Sequence, residues 1–457
     1  MNATRILLAV ILLFQFVMGI LYATRTPRWQ APDEPAHYNY VRGLAESGKF
    51  PVLQPGDYDQ QYLEELKAQK FPPPLAIDAL RYEAHQPPLY YLLAAPVYLS
   101  ARALHLDDVL ALRYLNVFLA LLLSALAYLI FVQVFPTNPL LRLAGVGIIA
   151  TLPMHLAMSA AINNDTLAEM VAAVILLLAL LRVRGKLDDR RFFILGGLAY
   201  GSALLTKTTI YPNIVLLALA EYAYRQIQFA RQPTRAAPLA AWIPNRSTIV
   251  AAAKTLAPLL GMALLLSGAW FVRNAVTYGA NDLLGWHRHD LVVVGQPTTA
   301  QYIAQFGWRN VLFDFFATSF KSFWAQFGWM GVLVNDRIYV FLFVLTAFAC
   351  FGALLWVIRL VRTRQEFAAE TRWMWLLLGA MLTLAVAAHV YYNLKYVQPQ
   401  GRYLFPGLIS LAAFWSAGLY EMLNARYARV VFALLYLVML GLDYIALAWY
   451  IVPQLTR

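Results

Sequence analysis

The sequence predicts an all-α polytopic membrane protein of about eleven transmembrane helices, and three observations predict it. Of 457 residues, 61% are hydrophobic and 13% charged, whereas a soluble domain is roughly a quarter charged. The mean hydropathy of +0.57 reflects apolar runs long enough to span hydrocarbon. Between those runs, Lys and Arg collect in short segments.

The first run is Ile6 to Tyr22, with Arg5 ahead of it and no small-residue cleavage site behind it. Further spans are expected at 112–134, 143–161, 165–182, 192–210, 212–224, 255–272, 339–358, 373–391, 404–423 and 429–451. The basic segments give the orientation. Arg182, Arg184, Lys186, Arg190 and Arg191 form one, and Arg225, Arg231, Arg235, Arg246 and Lys254 a second. Arg359, Arg362, Arg364 and Arg372 form a third, and Arg426 and Arg429 a fourth. With the N-terminus cytoplasmic, all four fall on the cytoplasmic side of an inner (plasma) membrane. The net charge of +12 therefore reports topology, and no nucleic-acid partner is expected. The lone Cys350 excludes an intrachain disulfide and argues against a cysteine-based metal site.

The whole chain, 1–457, reads as one transmembrane domain with no separate soluble domain. Two long loops are expected on the extracytoplasmic face, at 23–111 and 273–338. In the first, Glu34 to Ser47 reads as a juxtamembrane helix stopped by Gly48 and Pro51. The segment 88–104 is apolar enough to lie along the membrane, and counting it as a span would invert everything after it.

Ionisable groups at membrane depth are costly, so each needs a reason. On this topology they converge on one face. Asp33 and Glu34 follow the first span; Asn163-Asn164-Asp165 opens the fourth; Lys207 closes the fifth; Arg273-Asn274 closes the seventh. His389, Lys395 and Gln400-Gly401-Arg402-Tyr403 fall between spans nine and ten. Singly, each has a plainer reading. Asp33-Glu34 and Asn163–Asp165 suit helix N-caps, and Lys207 and Arg273 suit snorkelling side chains. His287-Arg288-His289-Asp290 alternates by two, as a strand would, without further metal ligands in view. Together, the acids and bases suit a specific chemistry. A carboxylate can deprotonate a hydroxyl or amine acceptor, and cations can hold a phosphate and stabilise it as leaving group.

At these residues the chain resembles the GT-C superfamily of membrane glycosyltransferases. It is most similar to the bacterial family related to protein O-mannosyltransferases and lipid A aminoarabinose transferases. The matching pieces run in order: Pro32-Asp-Glu-Pro-Ala-His-Tyr-Asn-Tyr40, His85-Gln-Pro-Pro-Leu-Tyr-Tyr91, Asn163-Asn-Asp165 and Leu205-Thr-Lys207. Trp270-Phe-Val-Arg-Asn274 with Tyr278-Gly279, Phe323-Trp-Ala-Gln-Phe-Gly-Trp329 and Gln400-Gly-Arg-Tyr-Leu-Phe-Pro406 follow. The resemblance implies inverting transfer of a monosaccharide from a polyprenyl-phosphate donor at the extracytoplasmic face. It implies Asp33 as base with Glu34 beside it. Asp165, Asn164, Lys207, Arg273, Arg402, Tyr403 and His85 become the expected substrate contacts. No cofactor or metal is expected. The acceptor, whether glycan, lipid or protein, would be recognised by the long loops. The competing reading is a transporter or flippase of a lipid-linked sugar, which midplane charges and an inverted repeat would favour; the sequence shows neither.

Overall fold

The protein, seen here in a computed structural model, is described over residues 3–231, 246–363 and 367–456. Arg235 and Arg364 of the expected basic segments lie outside these residues.

The chain opens with α1 (Ala3–Arg25) and then builds the first loop from α2 (Glu34–Ser47), α3 (Gln60–Ala68) and α4 (Leu89–Ala103). The bundle continues with α5 (Asp108–Val134), α6 (Pro139–Ala150), α7 (Pro153–Ser159), α8 (Asp165–Val183), α9 (Asp189–Leu204), α10 (Ile214–Ala230) and α11 (Arg246–Tyr278). The second loop holds α12 (Trp286–Val292), α13 (Thr299–Phe306), α14 (Trp308–Trp324) and a two-stranded hairpin, Gln326–Phe327 with Val332–Leu333. The chain closes with α15 (Asp336–Arg362), α16 (Ala369–Asn393), α17 (Leu408–Met422), α18 (Ala425–Ile445) and α19 (Val452–Leu455).

Eight of the described helices are long and apolar enough to cross a membrane, or nine if the bent pair α6–α7 is one span. That pair is the run expected at 143–161. It breaks by 60° at Thr151-Leu152-Pro153, where proline removes a backbone donor and clashes with a continuing helix. The runs at 192–210 and 212–224 fold as α9 and α10, of 16 and 17 residues, joined by a 3-10 segment Thr208–Asn213. The expected helix 34–47 is α2, closed by Gly48 in the left-handed region at φ 65°. The segment 88–104 is α4, which at 15 residues is shorter than a span. The alternating His287–Asp290 tract is helical, as α12, because the buried Asp282 carboxylate accepts from the backbone N–H groups of His287 and Arg288 at 3.1 and 2.8 Å and nucleates its first turn.

Small residues let helices close up. A side chain at Gly197 would meet the Leu259 carbonyl at 2.8 Å, and one at Gly201 the Ala263 carbonyl at 3.0 Å, so α9 and α11 pack backbone to backbone. Gly352 and Gly418 do the same for α15 and α17. Arg182, read above as a loop charge, is fully buried. It bonds Glu221 at 2.6 Å and Asp189 at 2.5 Å and lies on the Tyr224 ring at 3.7 Å. A guanidinium needs that many partners to leave water.

The two long loops fold against each other. Leu53, Leu63, Leu66, Leu80 and Tyr82 of the first form a small core with Val292 and Val293 of the second. The Trp329 indole N–H donates to the Trp29 carbonyl at 2.9 Å, tying the hairpin to the turn ahead of α2. That turn is fixed from below by Glu34. The Glu34 carboxylate is fully buried and receives Arg113 Nε and Nη2, both at 2.7 Å, with the backbone N–H groups of Trp29 and Ile162 at 3.0 and 3.2 Å. Arg113 also donates to the Ala23 and Thr26 carbonyls at 2.9 and 2.7 Å. One ion pair thus joins the end of α1, the second turn of α5 and the α7–α8 link.

Arg113→Met should lower stability by about 3–5 kcal/mol, because it strands a buried carboxylate. Arg113→Met with Glu34→Leu should recover most of that loss. Thermal unfolding in detergent checks this; a single variant as stable as the parent would refute the anchoring role.

Candidate active site

The polar residues converge because four helix ends meet. Asp33 precedes α2, Asp165 opens α8, Lys207 follows α9, and Arg402 lies in the 3-10 segment Gly401–Gly407 that leads into α17. Asp33 has a left-handed backbone at φ 67°, uncommon for a residue with a Cβ. Its carbonyl starts α2 by accepting from Ala36 and His37 N–H at 3.1 Å. Its side chain makes no cap bond. The turn sends two adjacent carboxylates to different partners, Glu34 to Arg113 and Asp33 to the cluster.

The Asp33 carboxylate accepts from Tyr82 Oη at 2.9 Å on Oδ1 and from Arg402 Nη2 at 2.6 Å on Oδ2. Arg402 reaches further with Nη1, which stands 4.0 Å from Asp165 Oδ2. Lys207 completes the row. Its ammonium bonds Asp165 Oδ1, and Asn164 Oδ1 at 3.0 Å. Asp33, Arg402, Asp165 and Lys207 therefore alternate in sign. The side chains of Asp33 and Asp165 keep 27% and 25% exposure, while Arg402 keeps 5% and Lys207 14%. The acids face outward and the cations sit behind them.

Arg402 is placed by its neighbours. The Gly401 N–H donates to Ser322 Oγ at 2.7 Å, and a side chain at Gly401 would collide with the backbone of Ser319 and Phe323 on α14. Only glycine allows that approach. Arg402 Nε donates to Gln400 Oε1 at 2.7 Å, and the guanidinium lies 5.3 Å from the Tyr403 ring. Tyr403 packs edge-on to Tyr392, 5.6 Å between ring centres. Asn163, not an N-cap side chain for α8, accepts from Asp165 N–H at 3.0 Å and turns the Asp165 side chain toward Lys207.

Burial alone would raise the pKa of Asp33, but the Arg402 guanidinium, seconded by the Tyr82 hydroxyl, overrides it and holds the carboxyl below the ordinary range. Burial lowers the pKa of His37, one turn into α2, and its Nδ1 hydrogen-bonds Tyr91 Oη at 2.8 Å.

Three expected contacts sit elsewhere. Glu34 has no lone pair to offer a substrate, since Arg113 and two backbone N–H groups surround it in a fully buried position. Arg273 bonds the Pro51 carbonyl at 2.5 Å and Asn274 Oδ1 at 2.9 Å, and lies over Trp270 and Tyr278 at 4.8 and 5.4 Å. It ties α11 to the first loop, and among the described residues no ion pair joins it to Asp33 or Asp165. His85 forms part of the roof. Its Nδ1 is 3.1 Å from the Tyr82 carbonyl, which can only accept, so Nδ1 carries the proton. Burial pushes His85 down to about 4, and its ring lies 4.8 Å from His289 of the second loop, which burial pushes to about 3. Tyr82 and Arg113 escaped sequence reasoning, and His37 and Gln400 were read only as members of their motifs. Arg113 carried a signal, an arginine in the first turn of a span; the Tyr82 hydroxyl did not differ from those of 26 other tyrosines.

The Arg402–Asp33 pair generates a measurable shift. Arg402→Gln should raise the Asp33 pKa, read as the carboxylate infrared band lost in an Asp33→Asn difference spectrum. The sign also sets stability. A folded pKa below the unfolded one stabilises above the ordinary Asp range, and that contribution is lost as pH falls through the lowered value. An unchanged band in Arg402→Gln would mean that the pair does not govern Asp33.

No protein-family model matches the chain, and neither does any curated protein sequence. Solved structures do. The crystal structure of ArnT from Cupriavidus metallidurans bound to undecaprenyl phosphate superposes with a TM-score of 0.51 at 14% identity, covering 99% of this chain and 74% of that one. The same protein in its apo state superposes equally, with 73% of its chain covered. The likeness shows that the chain has the polytopic all-α fold of ArnT.

Proposed function

We propose that the protein is a glycosyltransferase that moves a monosaccharide from a polyprenyl-phosphate donor to an acceptor, with inversion, at the extracytoplasmic membrane face. The observation that carries this reading is the alternating row Asp33–Arg402–Asp165–Lys207 at one end of an apolar bundle. The shared fold supports it, since the ArnT structure holds undecaprenyl phosphate.

The row suits the chemistry charge by charge. Its two acids and two cations balance, so an arriving phosphodiester must draw a cation away from a carboxylate. Arg402 is that cation, because its fork already reaches two anions and can hold two phosphate oxygens. In the reaction the acceptor oxygen bonds to the anomeric carbon, the bond from that carbon to the phosphate oxygen breaks, and the acceptor proton passes to Asp33. Protonation cancels the charge that held Arg402 on Asp33, at the step in which the leaving phosphate gains its second charge. Lys207 neutralises the phosphate from the Asp165 side. Arginine and lysine can do this without a metal, and we expect activity to persist in EDTA.

The test is turnover by the purified full chain in detergent with a panel of polyprenyl-phosphate sugars, followed as lipid-phosphate release. Asp33→Asn should lower the rate by roughly two to four orders of magnitude with little change in thermal stability. Wild-type turnover by Asp33→Asn on a verified donor would remove Asp33 as base. No release from any donor would remove the reading itself.

A further inference from the structure

One acid of the site has no role so far. Glu83 follows Tyr82 in the 3-10 segment Tyr82–His85, directly after the hydroxyl that holds Asp33. It is half-buried, and its Oε2 is buried with no hydrogen-bond partner among the described residues. Every other acid in the site is occupied: Asp33 by Arg402 and Tyr82, Asp165 by Lys207, Glu34 by Arg113. An orphaned carboxylate oxygen next to the Asp33 cluster is costly to leave unmet.

Its surroundings describe what would meet it. The Gln86 backbone N–H donates to the Glu83 carbonyl at 3.0 Å, Gln86 Oε1 accepts from Asn164 Nδ2 at 3.4 Å, and Asn164 Oδ1 holds Lys207 at 3.0 Å. A chain of amides thus sets Glu83 at a fixed reach from the phosphate cation. The charges that act on Glu83 are those of His37, Asp33 and Lys207, and it acts in turn on the hydroxyls of Tyr91 and Tyr392. Carboxylate, amides and tyrosines together offer many hydrogen-bonding groups and aromatic faces.

We propose that Glu83 is a sugar-contacting residue, its free Oε2 bonding hydroxyls of the transferred monosaccharide while Arg402 and Lys207 hold the phosphate. This rests on the transferase reading above and adds a subsite to it. A hydroxyl fits better than an ammonium. Burial raises the Glu83 pKa, with His37 and Lys207 opposing and Asp33 adding to the push. A hydroxyl can donate to the anion or accept from the acid, whereas an ammonium needs the anion.

The test separates sugar from phosphate. Affinity is measured on the full chain in detergent for undecaprenyl phosphate and for undecaprenyl-phosphate glucose, mannose and arabinose. In the parent, at least one glycoside should bind more tightly than the bare lipid phosphate. Glu83→Gln and Glu83→Ala should leave undecaprenyl phosphate within about twofold and weaken that glycoside by about tenfold or more, the worth of a hydrogen bond to a charged group. Glu83→Asp should restore part of the loss, and all three should unfold near the parent temperature. Equal weakening of both ligands, or of neither, overturns the Glu83 role and leaves the phosphate site standing. So does a parent that gains nothing from any of the sugars. A parent that does not bind undecaprenyl phosphate at all overturns both readings.

Discussion

Two carboxylates and two cations at the end of an apolar bundle must neutralise one another, and the positions of α2, α8, α9 and α17 follow from that demand. Arg402 is the member on which the others depend. It is nearly inaccessible, lies between Asp33 and Asp165, and is, among the described residues, the one cation that reaches both acids. The surrounding backbone is shaped to deliver it. Gly401 has no side chain so that it can rest on α14, and Gln400 steadies the Nε side. On the opposite side of the pair, the left-handed turn at Asp33 is held by a second, deeper ion pair between Glu34 and Arg113. The deep pair is structural because it is closed on all sides. The shallow row is poised for a ligand because its acids retain exposure.

This division explains why neighbouring residues in one motif have different roles. Asp33 and Glu34 are chemically alike and adjacent, yet one stays partly exposed and the other fills a socket. The same holds for the arginines. Arg273 ends an apolar run and Arg402 precedes one, but Arg273 bonds backbone of the first loop and two aromatic faces, and so serves as a tether.

Much of this was legible in the chain. Composition and the spacing of apolar runs are enough for the polytopic fold, because lipid demands long apolar helices with satisfied backbones. The convergence of Asp33, Asp165, Lys207 and Arg402 followed from counting span ends. Which acid stayed exposed did not, because a sequence does not show the φ of Asp33 or the guanidinium waiting at Arg113. Arg182 illustrates the same limit, since basic residues at a span end read as solvated until Glu221 and Asp189 arrive from other helices. The bend between α6 and α7 was written in Pro153 and read through, because the apolar run continues across it.

The central claim is that Asp33 and the donor phosphate compete for Arg402. The affinity of undecaprenyl phosphate for the Asp33→Asn chain tests it most directly. If they compete, removing the carboxylate's charge frees the guanidinium, and the variant should bind the lipid phosphate several-fold more tightly than the parent, a gain that disappears in Asp33→Asn with Arg402→Ala. Unchanged or weaker binding by Asp33→Asn would contradict the account, because Arg402 would then not be shared between the base and the phosphate.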